Sequence, residues 1–191
     1  MKYIIEHLEP ELFEWCLIEY EHISEIVGKD NLIITNVLKK DVKKLSKFAT
    51  VCTEKLSELR FEGLCVMSQY AEKELATEDK DKFQYLVFGG ILGDNPAKKR
   101  TNSLIESLDK ANVKFEQRSL GWRQMPTDNA VYVSKKIIEG AKLKDLHFVD
   151  HLEIEIEEGE SIMLNFRYIV DGRKVVISPE LVDYIRKNRG F

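Results

Sequence analysis

The chain has 191 residues, 43% of them hydrophobic and 32% charged, which is enough for one sizeable core, favoured here over two small ones. Its 29 basic and 33 acidic side chains leave a net charge of −4, so no global basic excess draws it to a phosphate backbone. Cys16, Cys52 and Cys65 are odd in number and lack C-x-x-C spacing, which argues against a disulfide framework and a zinc site.

Met1 to His7 is too short an apolar stretch for a signal peptide, and no later run approaches the roughly 20 apolar residues of a membrane span. The expected location is therefore the cytoplasm, away from membranes. Tyr3 to Glu6 reads as a strand. Glu11 to Val27 reads as a helix, with Phe13, Cys16, Leu17, Tyr20, Ile23 and Val27 on one face and Gly28 as its stop. Leu32 to Thr35 is a second strand, and Leu38 to Leu59 is helical in character but interrupted. Leu64 to Met67, Tyr85 to Phe88 and Val113 to Arg118 supply three more strands, the last two separated by a helix near Arg100 to Lys110. Such alternation predicts an α/β fold with a mostly parallel sheet. After Pro126 a further helix is expected, with Thr127 as N-cap, Asp128 in the first turn and Ala130, Val133, Ile137 and Ala141 on one face. From residue 143 the pattern changes to strand-like pieces, Glu153 to Ile156, Ile162 to Tyr168 and Lys174 to Ile177, closed by a small helix after Pro179. The expected organisation is a body over residues 1–142 and a β-rich extension over 143–191 packed on the same domain.

Phe88-Gly89-Gly90-Ile91-Leu92-Gly93-Asp94-Asn95-Pro96 follows the apolar run Tyr85-Leu86-Val87 and is the least explicable by packing. A strand that opens into glycines lets the backbone lie against a ligand, because glycine has no Cβ and tolerates positive φ. The spacing matches neither G-x-G-x-x-G nor the phosphate loop ending in Lys-Ser/Thr, and a plain strand-to-helix turn also accounts for it. In a parallel sheet, ligands collect where loops leave the carboxyl ends of strands. The loop after the fifth strand, Ser119 to Asp128, should meet the glycine loop at that edge. Backbone amides and carbonyls for an adenine edge, Leu86, Leu92, Leu120 and Met125 against the ring, and nearby carboxylates for a sulfonium would suit an adenosine with a sulfonium tail, although Leu120 and Met125 also serve as ordinary core.

Several separated motifs carry a resemblance: Lys2 to His7, Phe88 to Asp94 with Pro96, Arg100-Thr101, Gln124-Met125 with Thr127-Asp128 and Ala130, Phe148-x-Asp150 and Phe166-Arg167-Tyr168. Together they resemble the small SPOUT-class methyltransferases whose fungal member is a protein arginine methyltransferase acting on a small-subunit ribosomal protein. The resemblance runs from Met1 to near Tyr184 and is loosest over residues 50–82. It implies an α/β fold with a trefoil knot, one of the rare exceptions to unthreaded topology. It also implies S-adenosylmethionine as cofactor and no metal. The cofactor contacts it implies are Leu86, Phe88, Gly89, Gly90, Gly93, Leu120, Gly121, Gln124, Met125, Thr127 and Ala130.

Methyl transfer from a sulfonium is an in-line displacement, so the enzyme mainly aligns the acceptor nitrogen and accepts a proton. A guanidinium is best gripped by carboxylates, and Glu6, Asp94 and Asp128 are the candidates. Asp128 is equally explained by the dipole of its helix, and Asp94 by a turn. Glu6, closing a buried apolar strand, needs a partner. His7, His22, His147 and His151 lack metal spacing and read as surface or hydrogen-bonded histidines. Lys39, Lys40, Lys43 and Lys44 form a local basic patch of the kind that is usually a solvated face. Trp122 could cover the cofactor or acceptor, and Arg123 could neutralise the cofactor carboxylate. The expected activity is methylation of arginine in a basic protein, with a small-subunit ribosomal protein as the case the resemblance offers. Two alternatives stay open, an RNA methyltransferase and a non-catalytic adenosine-ligand-binding protein. The apolar residues of the extension favour a monomer over a dimer formed through the knot.

Overall fold

The computed structural model describes residues 1–90 and 100–190. Six strands, β1 (Lys2–His7), β2 (Leu32–Thr35), β3 (Thr50–Val51), β4 (Leu64–Met67), β5 (Tyr85–Gly90) and β6 (Phe115–Arg118), form one sheet in the order β3-β2-β1-β5-β4-β6. Every pairing in it is parallel. β1 is central and buried from Tyr3 through His7, as a strand covered on both faces must be.

Alternation along the strands splits the core into two layers. Tyr3, Ile5, Ile34 and Phe88 pack with Tyr20, Val131 and Ile137 on one face, while Ile4, Ile33, Val66 and Val87 pack with Leu104 and Leu108 on the other. Helix α1 (Glu14–Val27) turns Cys16, Tyr20, Ile23 and Val27 inward and ends where Gly28, at φ 84, returns its amide to the carbonyl of Ser24. Between β2 and β3 lies α2 (Val42–Leu45), a single turn. α3 (Arg100–Lys110) covers the second face, and α4 (Thr127–Ile138) crosses back to lie beside α1 on the first.

The helical reading of residues 38–59 is corrected. Only Val42–Leu45 is α-helical; Thr50–Val51 joins the sheet beside β2 and Leu56–Glu58 is a 3-10 turn. Pairing with an open sheet edge overrides the local helical spacing there. α4 differs from expectation at its start, because its N-cap is Pro126, which has no capping side chain; at its end Gly140, at φ 114, directly follows the C-cap Glu139 as a stop.

Beyond α4, β7 (His147–Val149), β10 (Tyr168–Asp171) and β11 (Lys174–Val175) make a three-stranded antiparallel sheet, and β8 (Leu152–Glu157) pairs with β9 (Glu160–Leu164) as a hairpin. The strand expected over Ile162 to Tyr168 is therefore two, separated by a turn that buries Phe166. α5 (Pro179–Asn188) starts at Ser178, whose hydroxyl accepts from the amide of Leu181. Ile154, Leu164, Phe166, Tyr168, Leu181 and Ile185 form a third cluster that packs on Trp15 and Ile18 of α1. Of the first loop expected to form the knot, Leu86 to Gly93, residues 91–93 lie outside the described residues. Among the described residues no helix is long and apolar enough to cross a membrane.

Candidate active site

The register of β1 and β5 sets Glu6 opposite Gly89 and His7 opposite Gly90, so both glycines close the carboxyl edge of the sheet. A Cβ on Gly90 would stand 2.5 Å from the Tyr20 hydroxyl and 2.7 Å from Cγ2 of Ile5, so this glycine makes room for α1. Gly93 and Asp94 lie outside the described residues. The second loop reaches the same edge. Ser119 donates its amide to the carbonyl of Lys73 and accepts from the amide of Leu75, which guides the chain leaving β6 past the connection after β4. Gly121 takes φ 86 with open space where a Cβ would be. The Thr127 hydroxyl then lies 3.4 Å from the Gly89 carbonyl, so the end of β5 and the start of α4 touch.

The apolar candidates divide by depth. Leu86 and Phe88 are fully buried in the core beneath this edge, Phe88 stacked on Tyr3, and Leu120 is nearly so. Met125 and Ala130 are partly buried against the same cluster. Gln124 gives its carbonyl to the amide of Arg167, which ties the loop to the chain entering β10.

Glu6 and Asp128 are on opposite faces of the sheet. Glu6 shares the α3 face with Ile4, where its carboxylate accepts from the Thr35 hydroxyl and from the amide of Leu56 at 3.0 Å. Burial pushes its pKa above the ordinary carboxylate value against the pull of those two donors. On the α1 and α4 face, Asp128 accepts from Nδ1 of His22 at 2.9 Å and from the amide and side chain of Asn129. Burial alone would lower the His22 pKa, but the hydrogen bond and charge of Asp128 outweigh it and raise it. Asn129 spends its remaining groups on the carbonyl of Val176 and the amide of Ile169.

Glu19 was not singled out by the sequence. It is 2% exposed, and its carboxyl accepts from the amides of Thr127 and Asp128 and meets the Thr127 hydroxyl, supplying from α1 the cap that α4 lacks. Burial, and then the charge of Asp128, push its pKa up to about 8. The available signal was an acid placed on the inward stripe, three residues after Cys16 and four before Ile23. Two more groups line this edge. Nδ1 of His7 is 2.9 Å from the Tyr20 hydroxyl, with burial lowering the histidine pKa. Asp150 pairs with Arg167 at 3.0 Å and Arg123 at 3.5 Å, while Arg123 lies over the exposed Trp122 ring. Among the described residues no three His, Cys, Asp or Glu side chains gather as a metal site.

A parallel sheet of this order, with glycine-ended β5 and the loop after β6 meeting at one edge, is the α/β architecture that the resemblance to SPOUT-class methyltransferases implies. Solved structures agree. That of the yeast arginine methyltransferase SFM1 complexed with SAM matches with a TM-score of 0.87 and 33% identity, over 98% of this chain and 90% of that one. Trm10 from Thermococcus kodakaraensis shares the fold at a TM-score of 0.60 and 19% identity, over 76% of this chain and 96% of that one. In sequence, protein arginine N-methyltransferase SFM1 of Saccharomyces cerevisiae is 34% identical over 206 residues, 98% of this chain and 95% of the yeast protein. Residues 2–190 match the family described as protein arginine N-methyltransferase SFM1-like, and the chain belongs to that family.

Proposed function

We propose that the chain is an S-adenosylmethionine-dependent protein arginine methyltransferase. The observation that carries this reading is likeness along nearly the whole chain to an arginine methyltransferase solved with SAM. The site fits the cofactor in kind, because Gly121 leaves open space, Leu120 and Met125 offer apolar surface, and Thr127 meets the end of β5. Gly89, Gly93, Leu120, Gly121, Gln124, Met125, Thr127 and Ala130 would hold it, over a floor made by Leu86, Phe88 and Gly90.

When bound, the cofactor supplies an activated methyl group. The chain's own residues then align an acceptor guanidinium for in-line attack, exclude water and take its proton. An arginine side chain is protonated at any working pH, so a carboxylate must orient it and receive the proton. We assign that role to Asp94. Glu6 and Asp128 are the other acidic candidates, but their carboxylates are engaged by Thr35 and Leu56 and by His22 and Asn129. The acceptor is a basic protein, and a small-subunit ribosomal protein is the class to test first. The chain acts as a monomer, since the third cluster covers α1 from within the chain. Light scattering at low micromolar concentration gives the monomer mass on this reading, and a dimer mass overturns it.

Radiolabelled methyl transfer into a lysate, split into protein and RNA fractions, tests the function. Label in methylarginine after protein hydrolysis is expected; label in RNA alone replaces this reading with the RNA methyltransferase. Asp94→Asn should cut turnover by roughly a hundredfold or more while leaving cofactor affinity unchanged.

A further inference from the structure

The start of α4 is held by a group that none of the cofactor or acceptor roles above uses. Pro126 contributes no side-chain cap, so the amides of Thr127 and Asp128, the first two of α4, would be buried without acceptors if α1 did not supply Glu19, the third being taken by the Asp128 side chain. The same carboxyl meets the Thr127 hydroxyl, which lies 3.4 Å from the carbonyl of Gly89. Resting on the proposed function, we infer that Glu19 is a positioning residue of the cofactor site, which through Thr127 fixes the second loop against the glycine end of β5.

The hydrogens must be apportioned for this to work. A neutral carboxyl group accepts the amides of Thr127 and Asp128 on its carbonyl oxygen and donates its own proton to Oγ1 of Thr127. The threonine hydroxyl can then direct its own hydrogen to the Gly89 carbonyl. An ionised carboxylate has no proton to give, so it draws the threonine hydroxyl to itself and the link to Gly89 is lost. Burial favours the neutral form, and so does the charge of Asp128.

The titratable groups facing Glu19 are Asp128 from α4, with His22 behind it, Cys16 and Tyr20 on its own helix, and Tyr168 from β10. Burial pushes Cys16, Tyr20 and Tyr168 far above neutrality, so they stay uncharged while Glu19 titrates. The link should therefore loosen as pH rises above neutrality.

Calorimetric titration of the full chain with S-adenosylhomocysteine at pH 7 and pH 9 tests this. The ligand's own amino group titrates in that range, but equally against every variant, so only differences between variants count. Glu19→Gln keeps one acceptor and one donor and does not ionise. It should match the wild type at pH 7 and bind about tenfold more tightly than the wild type at pH 9, the scale of one hydrogen bond. Thr127→Val should bind about tenfold more weakly than the wild type at pH 7, with circular dichroism showing the fold intact. Equal pH dependence in the wild type and Glu19→Gln overturns the inference, as does wild-type affinity at pH 7 in Thr127→Val. Absence of binding by the wild type at both pH values overturns the proposed function and takes this inference with it.

Discussion

On the α3 face of the central sheet the buried acid is Glu6, held by a hydroxyl from the neighbouring β2 and by the amide of Leu56. On the α1 and α4 face, Glu19, His22, Asp128 and Asn129 form a connected polar group that reaches from α1 through α4 to β10 and the carbonyl of Val176. The first arrangement braces β1 against β2 and the turn that follows β3. The second positions α4, which arrives late in the chain and has no strand ladder to register it, so hydrogen bonds from the His22 and Glu19 side chains to Asp128, 106 and 109 residues away, do the registering. Buried polar groups cost stability unless partnered, which makes them specific fasteners where apolar contact alone would let a helix slide.

Asp128→Ala should break that second arrangement most severely. It strands the His22 imidazole and half of the Asn129 hydrogen bonds in a nearly water-free setting, and removing one partner of a buried pair costs about 3–5 kcal/mol. Urea unfolding followed by far-ultraviolet circular dichroism reads the loss. A cost below about 1 kcal/mol would show that the cluster is ornamental and that the two faces are alike.

Gly90→Val tests the same face through packing. The new side chain begins 2.5 Å from the Tyr20 hydroxyl and 3.2 Å from the carbonyl of Glu6, so α1 must move or β5 must yield. Overpacking of this kind costs about 1–3 kcal/mol, measurable in the same unfolding experiment. Wild-type stability would mean that α1 is not seated on β5 as described.

Glu6→Gln addresses the other face. Both partners of the carboxylate are donors to the same oxygen, Oε2, so the carbonyl oxygen of glutamine can accept from both while its NH2 group takes the place of the other oxygen. A loss of about 1 kcal/mol is expected, smaller than for Asp128→Ala because both hydrogen bonds survive and only the charge that strengthens them is removed. If turnover falls a hundredfold with no loss of stability, Glu6 belongs to the acceptor site and the assignment to Asp94 alone is wrong.

Much of this was legible in the sequence, and the exceptions share a cause. β2 and β4 matched their expected bounds because four-residue apolar runs between turn residues have few other uses, and α1 announced itself through Cys16, Tyr20, Ile23 and Val27 with Gly28 as a stop. Thr50–Val51 was hidden because a two-residue edge strand has no period and exists only by pairing with β2. The division of Ile162 to Tyr168 into β9 and the start of β10 depends on a turn that contains neither glycine nor proline. At the candidate site, the meeting of Gly89 with Thr127 followed from parallel-sheet topology, whereas the opposite faces of Glu6 and Asp128 required knowing which residue of each element points up. Glu19 went unread because an acid beside a tyrosine on an amphipathic helix looks like a solvent position until another helix is laid over it. Asn129, with all of its partners between 40 and 47 residues away or next to it in the chain, could not have been inferred from spacing at all.

The smallest expected effect is a slope rather than a loss, and it singles out Glu19 by pH. Glu19 holds its proton more tightly folded than unfolded, so the native state binds the extra proton between the ordinary glutamate range and about 8, and stability falls as pH rises through that window. The His22 pair acts in the same direction, since its raised pKa gives a contribution fully present below the ordinary histidine value and lost as pH climbs through the raised one. His7, whose pKa is lowered, works in the opposite sense, but only below the ordinary histidine value, so comparing the wild type with Glu19→Gln between pH 7 and pH 8 isolates the part due to Glu19. Stability should decline across that unit, by at most about 1.4 kcal/mol for each group that releases a full proton. Glu19→Gln should flatten the decline and leave the part due to the other groups with raised pKa, His22 and Glu6. A decline that Glu19→Gln does not change would place the titrating group elsewhere, on His22 of the same face or on Glu6 of the other, whose pKa burial also raises.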